Sequence, residues 1–270
     1  MKYPGSKWTL AEWIVANMPP HKSYLEPYFG SGAVFFNKEP SAYETINDLD
    51  GNVVNFFRVC RDYPDELARL VNLTPFARAE YLSIQERAAG VDISLTGDPI
   101  EDARRFLVRC CQSFGANLAD RAGWKNTKGA AGPDNAAIWG RLPATICEAA
   151  ARLKGAQIEN TEAVQLVRAY NSPDCLIYAD PPYLGETRRK KRIYKIEMMD
   201  VAAHIELLDA LLSHKGPVIL SGYENQLYNE KLSGWRKLTH IGKANSGGVR
   251  QEVLWLNFSG EQRTLFEEVQ

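Results

Sequence analysis

Long hydrophobic runs are missing from this chain of 270 residues. No stretch approaches the roughly 20 apolar residues of a membrane span. The opening MKYPGSKWTLAEW lacks the continuous apolar core of a secretory signal. A cytoplasmic protein with no membrane association is the expectation. Cysteine is sparse: Cys60, Cys110, Cys111, Cys147 and Cys175 show neither C-x-x-C nor Cys/His ligand spacing. That pattern points to reduced, packed thiols and away from a metal centre. Charge of one sign is not in excess, the formal net value being −1. Bulk charge therefore argues neither for nor against a nucleic-acid partner. Repeats and low-complexity tracts are absent as well, which excludes solenoid and disordered classes.

With 45% hydrophobic residues, the chain suits one large folded domain or a domain carrying an insertion. Ser23–Glu26 reads as a strand, followed by Phe29-Gly30-Ser31-Gly32 and a helix from Ala33. A second strand through Tyr43–Ile46 ends in Asn47-Asp48. From about Pro64 to Gly155 the pattern is helical and loop-rich. Ile100, Ala103, Phe106, Leu107, Cys110, Cys111 and Phe114 recur at spacings of three and four, with Arg104, Arg105 and Arg109 off that stripe. The stretch SFGANLADRAGWKNTKGAAGPDNAA then reads as a long loop by its turn residues. Strands return at Cys175–Ala179, Val218–Leu220 and Glu252–Leu256. Between the first two, Val201, Ile205, Leu208 and Leu212 form a helix face, with Gly216 in the position of a C-terminal cap. Two strand–helix regions flanking a helical middle predict an α/β sheet with an inserted module.

Two stretches suggest chemistry. In Phe29-Gly30-Ser31-Gly32, glycine lets backbone approach a ligand, and the helix that follows favours an anionic group at its N-terminus. Asp48, at the end of the next strand, is placed to accept from ribose hydroxyls. A plain tight turn fits the same residues. Phe35 stands where a dinucleotide fingerprint needs its third glycine, and no Gly-Lys-Ser/Thr follows, so a nucleoside with a small charged group suits better than a pyrophosphate. The second stretch is Asp180-Pro181-Pro182-Tyr183. Its prolines fix two φ angles near −65° and bias Asp180 towards extended geometry, which pins an acid and a ring at a sheet edge. Prolines that merely end a strand, with Tyr183 in the core, are the structural alternative.

These two elements, together with Lys2-Tyr3-Pro4-Gly5-Ser6-Lys7, stand in the linear order found in the Dam-type (alpha-class, D12) DNA adenine-N6 methyltransferases, which the chain also resembles at Asn47-Asp48-Leu49-Asp50 and Glu252-Val253-Leu254. The resemblance runs from Lys2 to Phe258 and is weakest between Asp62 and Leu153. It implies a Rossmann-like S-adenosylmethionine-dependent methyltransferase sheet with an inserted, mainly helical target-recognition module. Residues 1–60 and 155–258 would form the catalytic, cofactor-binding part, 61–154 the recognition module and 259–270 a tail. The implied catalytic element is Asp180, Pro181, Pro182 and Tyr183. Asp180 and the Pro181 carbonyl would accept the hydrogens of an adenine amine, and Tyr183 would stack on a base extruded from double-stranded DNA. The implied cofactor residues are Tyr3, Lys7, Glu26, Phe29, Gly30, Gly32, Asp48 and Asp180. Tyr3 replaces the family's frequent tryptophan, Lys7 would hold the methionine carboxylate or a nearby acid, and Ile158-Glu159-Asn160 would approach the cofactor adenine. No metal is implied.

On the DNA side, Asn117, Arg121, Lys125, Asn126 and Lys128 of the long loop mix backbone-contacting cations with amides able to read base edges. Arg188, Arg189 and Lys191, from the basic run after Tyr183, would contact phosphates. The loop matches its Dam counterpart at RAGWKN but departs at Leu118-Ala119-Asp120, so no GATC specificity follows. In the tail, Gln262-x-x-Leu265-Phe266 resembles the short peptide that binds the replication sliding clamp. A cognate restriction nuclease is another implied partner. Cytosine-N4, RNA and protein-glutamine methylation are rival chemistries, and a DNA- or clamp-binding module without catalysis is the rival of another class.

Overall fold

The computed structural model describes residues 6–86, 96–114, 123–126, 134–184, 200–243 and 249–259. Its framework is a seven-stranded sheet built from β1 (Ser23–Glu26), β2 (Tyr43–Asn47), β3 (Ala156–Glu159), β4 (Cys175–Ala179), β5 (Val218–Gly222), β6 (Arg236–Lys243) and β7 (Val249–Leu256), in the order β3-β2-β1-β4-β5-β7-β6. The first five strands pair in parallel, and β7 runs antiparallel between β5 and β6. Parallel strands are covered on both faces and so read as unbroken apolar runs. Strand β4, CLIYA, is buried at every position for that reason. Leu176 and Tyr178 join one core cluster, while Cys175, Ile177 and Ala179 join the other. This is the Rossmann-like, mostly parallel sheet that the sequence resemblance implies.

Helices α1 (Ala11–Ala16), α2 (Ala33–Asn37), α3 (Gly51–Asp62), α4 (Pro64–Leu73), α5 (Arg78–Glu86), α6 (Pro99–Gln112), α7 (Asn135–Gly140) and α8 (Leu142–Leu153) precede β3. Phe106 and Leu107 of α6, Trp139 of α7 and Ile146 of α8 share one cluster with Tyr24, Ile46 and Ile219 of the sheet. The opposite face is closed by α9 (Ala163–Ala169), α10 (Val201–Leu212) and α11 (Gln226–Lys231), through Leu166, Leu207, Leu211 and Tyr228. Among the described residues no helix is long and apolar enough to cross a membrane.

Local chemistry sets the boundaries. Asp50, Asp98 and Asp200 accept first-turn amides of α3, α6 and α10, the role in which a short acid satisfies otherwise unpaired N–H groups. Three expectations need correction. Helix α6 stops at Gln112, so Phe114 leaves the apolar stripe and is 71% exposed. The long loop is shorter at its far end, because Asp134 caps the Ala137 amide and starts α7 at Asn135. Gly216 is not a helix cap: α10 ends at Leu212 with Ser213 behind it. A Cβ on Gly216 would lie 2.4 Å from the carbonyl oxygens of Ser172 and Cys175, so glycine there permits close approach of two backbones.

Candidate active site

A cavity of about 470 Å³ opens at the carboxyl ends of β1, β2 and β4. In an open parallel sheet this is where adjacent loops diverge and leave a crevice, at the point where strand order reverses. Lys7, Glu26, Phe29, Gly30, Asp48 and Asp180 all line it. Gly32 lies behind the wall at φ 67°, where a Cβ would come within 2.6 Å of the Phe29 ring and 2.7 Å of Phe36. The turn therefore needs glycine for both its backbone angle and its packing.

Asp48 holds that turn in place. It accepts from the Gly30 amide at 2.8 Å and from the Asp50 amide at 2.9 Å. Burial pushes its pKa up to about 6, partly opposed by those two backbone bonds. Its remaining lone pairs are all that a ligand hydroxyl would use, so Asp48 shapes the loop as well as facing the cavity. Helix α2 is only five residues long, and its Phe35 amide bonds to Glu26, so the helix start serves a carboxylate of the chain itself. Asn160 donates to the Asp48 carbonyl at 2.8 Å and bridges the backbone. Glu162, Ala163 and Val164 line the cavity beyond it, and Ile158, Glu159 and Asn160 do not.

Asp180 sits where β4 gives way to Pro181 and Pro182, and its carboxylate is fully engaged. The Lys7 ammonium lies 2.9 Å from each oxygen, and the Ser221 hydroxyl donates to Oδ1 at 2.5 Å. Of the two roles expected for Lys7, it takes the pairing with a nearby acid. Lys7 also donates to the Tyr183 hydroxyl, which in turn donates to Glu252 Oε2 at 3.1 Å. The Lys7 nitrogen stands 4.9 Å from the centre of the Tyr183 ring, and Tyr223 packs against that ring at 4.3 Å. Pro182 lines the cavity, while Pro181 is buried beneath it. Nothing in the sequence singles out Ser221 or Tyr223, and Glu252 stands out only as part of a similar stretch. A serine at the end of an apolar strand carries no signal until the neighbouring strand is known.

Of the loop residues expected to meet DNA, Lys125 and Asn126 are described. Lys125 donates its amide to the Gln112 carbonyl at 2.7 Å, next to an isolated antiparallel bridge between Ser113 and Trp124. Trp124 packs on Phe76, with the Arg78 guanidinium 5.2 Å from its ring centre, so an aromatic post fixes the base of the loop. Tyr3, Asn117, Arg121, Lys128, Arg188, Arg189, Lys191, Gln262, Leu265 and Phe266 lie outside the described residues. Among the described residues, no group of three His, Cys, Asp or Glu side chains is placed to hold a metal.

Residues 3–244 match the family described as D12 class N6 adenine-specific DNA methyltransferase. A DNA adenine methylase of Salmonella typhi is 24% identical over 275 residues, covering 94% of this chain and 91% of that protein. A DNA adenine methylase of Escherichia coli strain K12 is 23% identical over 271 residues with the same coverage. A solved structure of a SAM-dependent methyltransferase from Agrobacterium tumefaciens aligns with a TM-score of 0.36 and 10% identity, over 92% of this chain and 59% of its own.

Proposed function

Because the chain belongs to the D12 class N6 adenine-specific DNA methyltransferases, we propose that it moves a methyl group from S-adenosylmethionine to N6 of an adenine extruded from double-stranded DNA. The observation that carries this reading is Asp180, fixed by Lys7 and Ser221 at the rim of a cavity whose floor is Glu26 and whose wall is Asp48. The residues fit the donor. The volume suits a nucleoside-sized ligand, Asp48 keeps acceptor capacity for ribose, and the acidic wall suits a cation. When bound, the donor supplies an electrophilic methyl on a sulfonium.

The chain supplies the rest. An adenine amine is a poor nucleophile because its lone pair is delocalised into the ring. Asp180 and the Pro181 carbonyl accept its hydrogens, draw the nitrogen towards tetrahedral geometry and stabilise the positive charge that develops there. For the amine to reach Asp180, Lys7 gives up part of its hold on the carboxylate and stays with Tyr183 and Glu252. Tyr183 offers the extruded base a stacking face worth about 1–3 kcal/mol. That offsets much of the few kcal/mol spent in leaving the duplex. Measuring tritiated methyl transfer to unmethylated DNA tests this. Wild-type protein is expected to label adenine, and Asp180→Ala to lose at least about two orders of magnitude in rate. Equal labelling by both would reject the assignment.

For DNA contact we assign the helical segment 61–154, with Asn117, Arg121, Lys125, Asn126 and Lys128, and the cations Arg188, Arg189 and Lys191. Neutralising those last three is expected to weaken DNA binding and lower its salt slope by about 0.9 for each phosphate that no longer meets a cation, with donor affinity unchanged. An unaltered slope would remove them from the interface.

A further inference from the structure

The carboxylate of Asp180 is not a free charge. Lys7 sets one ammonium 2.9 Å from both of its oxygens, and that pair by itself sums to zero. Methyl transfer asks for the opposite. As the C–S bond breaks with its electron pair left on sulfur and the N6–C bond forms, positive charge passes from sulfur to the amine. It stays there until one amine proton leaves to water. An ammonium seated on the accepting carboxylate repels that charge, and a neutral pair stabilises it little.

A second carboxylate stands beside the ammonium. Glu252 Oε2 lies 3.9 Å from the Lys7 nitrogen and 3.1 Å from the Tyr183 hydroxyl, which Lys7 also meets. The Lys7 and Glu252 side chains are only 6% and 11% exposed, so salt and water screen them weakly. The sheet places Glu252 there. Val253 pairs with Gly222, which leaves Glu252 one residue past the end of β5, at the edge where Asp180 follows β4. Alternation along β7 turns it to the side of Leu254 and Leu256, the side on which Ser221 follows Ile219. Glu26 follows Tyr24 on that same side, but burial pushes it up to about 8, so at pH 7 it holds a proton. Glu252 does not line the cavity.

We propose that Glu252 is a positioning residue for methyl transfer, receiving the Lys7 ammonium as the adenine amine takes its place on Asp180. The inference rests on the adenine-methylation reading above and deepens it. Asp180, Lys7 and Glu252 together carry two negative charges and one positive. One negative charge is therefore in excess, and it faces the amine when that nitrogen turns cationic. A shift of roughly 1 Å brings the ammonium to hydrogen-bonding distance of Glu252. The Tyr183 hydroxyl tethers it on the way. The buried ammonium thus exchanges one carboxylate for another and is never stranded without one, which would be costly. Glu252 touches neither donor nor base and acts through Lys7.

Single-turnover transfer of tritiated methyl, with protein in excess over unmethylated plasmid DNA, tests this beside separate titrations of S-adenosylmethionine and of the DNA. Glu252→Gln still offers an acceptor to the Tyr183 hydroxyl. It is expected to slow transfer about 10- to 100-fold, with both affinities within about threefold of wild type. Glu252→Asp, which returns the charge on a shorter arm, should regain most of that loss. Equal rates for wild type and Glu252→Gln, or a Glu252→Asp rate no faster than that of Glu252→Gln, would overturn the role of Glu252 and leave the adenine reading intact. Donor or DNA affinity falling in step with the rate would overturn it too, since that marks a structural support. No transfer by the wild type would overturn both readings.

Discussion

Glu26 and Asp48 are raised by burial to about 8 and about 6, whereas an unfolded chain titrates such groups near 4. Between those limits the folded state holds more protons than the unfolded one, so stability falls as pH rises. The ligand-free protein is expected to melt at a higher temperature at pH 5 than at pH 8, a difference that calorimetry reads directly. Glu26→Gln should flatten most of that slope, since an amide does not titrate. Gly32→Ala belongs to the same scale. The positive φ and the two rings against its missing Cβ predict a loss of at least about 1 kcal/mol in urea unfolding. Asp180 is legible from sequence because its prolines announce a fixed backbone. Ser221, its hydrogen-bond donor, is not, because the relation exists only once β4 and β5 are paired.

Strands β4, β5 and β7 each contain an apolar run that reads from sequence, β1 and β2 read from strand-forming residues ahead of a glycine loop and an Asn-Asp turn, and the structure has all five. Strands β3 and β6 give no such signal, for a physical reason. They are the sheet's two edges, and β6, RKLTHIGK, has the mixed, cationic composition that discourages edge pairing with other chains. Helix α3 is not among the expected elements, although Val53, Val54, Phe56, Phe57, Val59 and Cys60 recur at helical spacing behind Asp50 as a cap. The close approach at Gly216 gives a test at this scale. Gly216→Ala should force apart the segments carrying Ser172 and Cys175 and lower the urea midpoint by an amount equivalent to about 1–3 kcal/mol, with the slope unchanged. An unshifted midpoint would show that the two carbonyls yield without cost.

Sheet and helical segment share one apolar cluster, and a buried ionic group joins them again. Glu44 of β2 meets Lys38 at 2.5 Å and Arg152 of α8 at 2.8 Å, and the Arg152 guanidinium lies over the Phe35 ring. Glu44→Gln would leave two cations without the carboxylate they share, a loss of about 3–5 kcal/mol. Circular dichroism and tryptophan fluorescence should then still report one coincident transition, shifted as a whole. This joint is not readable from sequence, since Arg152 stands 108 positions from Glu44. One contact beside Tyr183 is remoter still, Lys7 reaching Asp180 across 173 positions, and Glu252 joins them from β7. During translation, Lys7 emerges early and waits for a partner that only later synthesis delivers. A nascent polypeptide halted before β7 would carry Asp180-Pro181-Pro182-Tyr183 without its counterweight at Glu252. Methylating competence should thus arise abruptly, when the last strand slots between its neighbours, and not in proportion to the length translated.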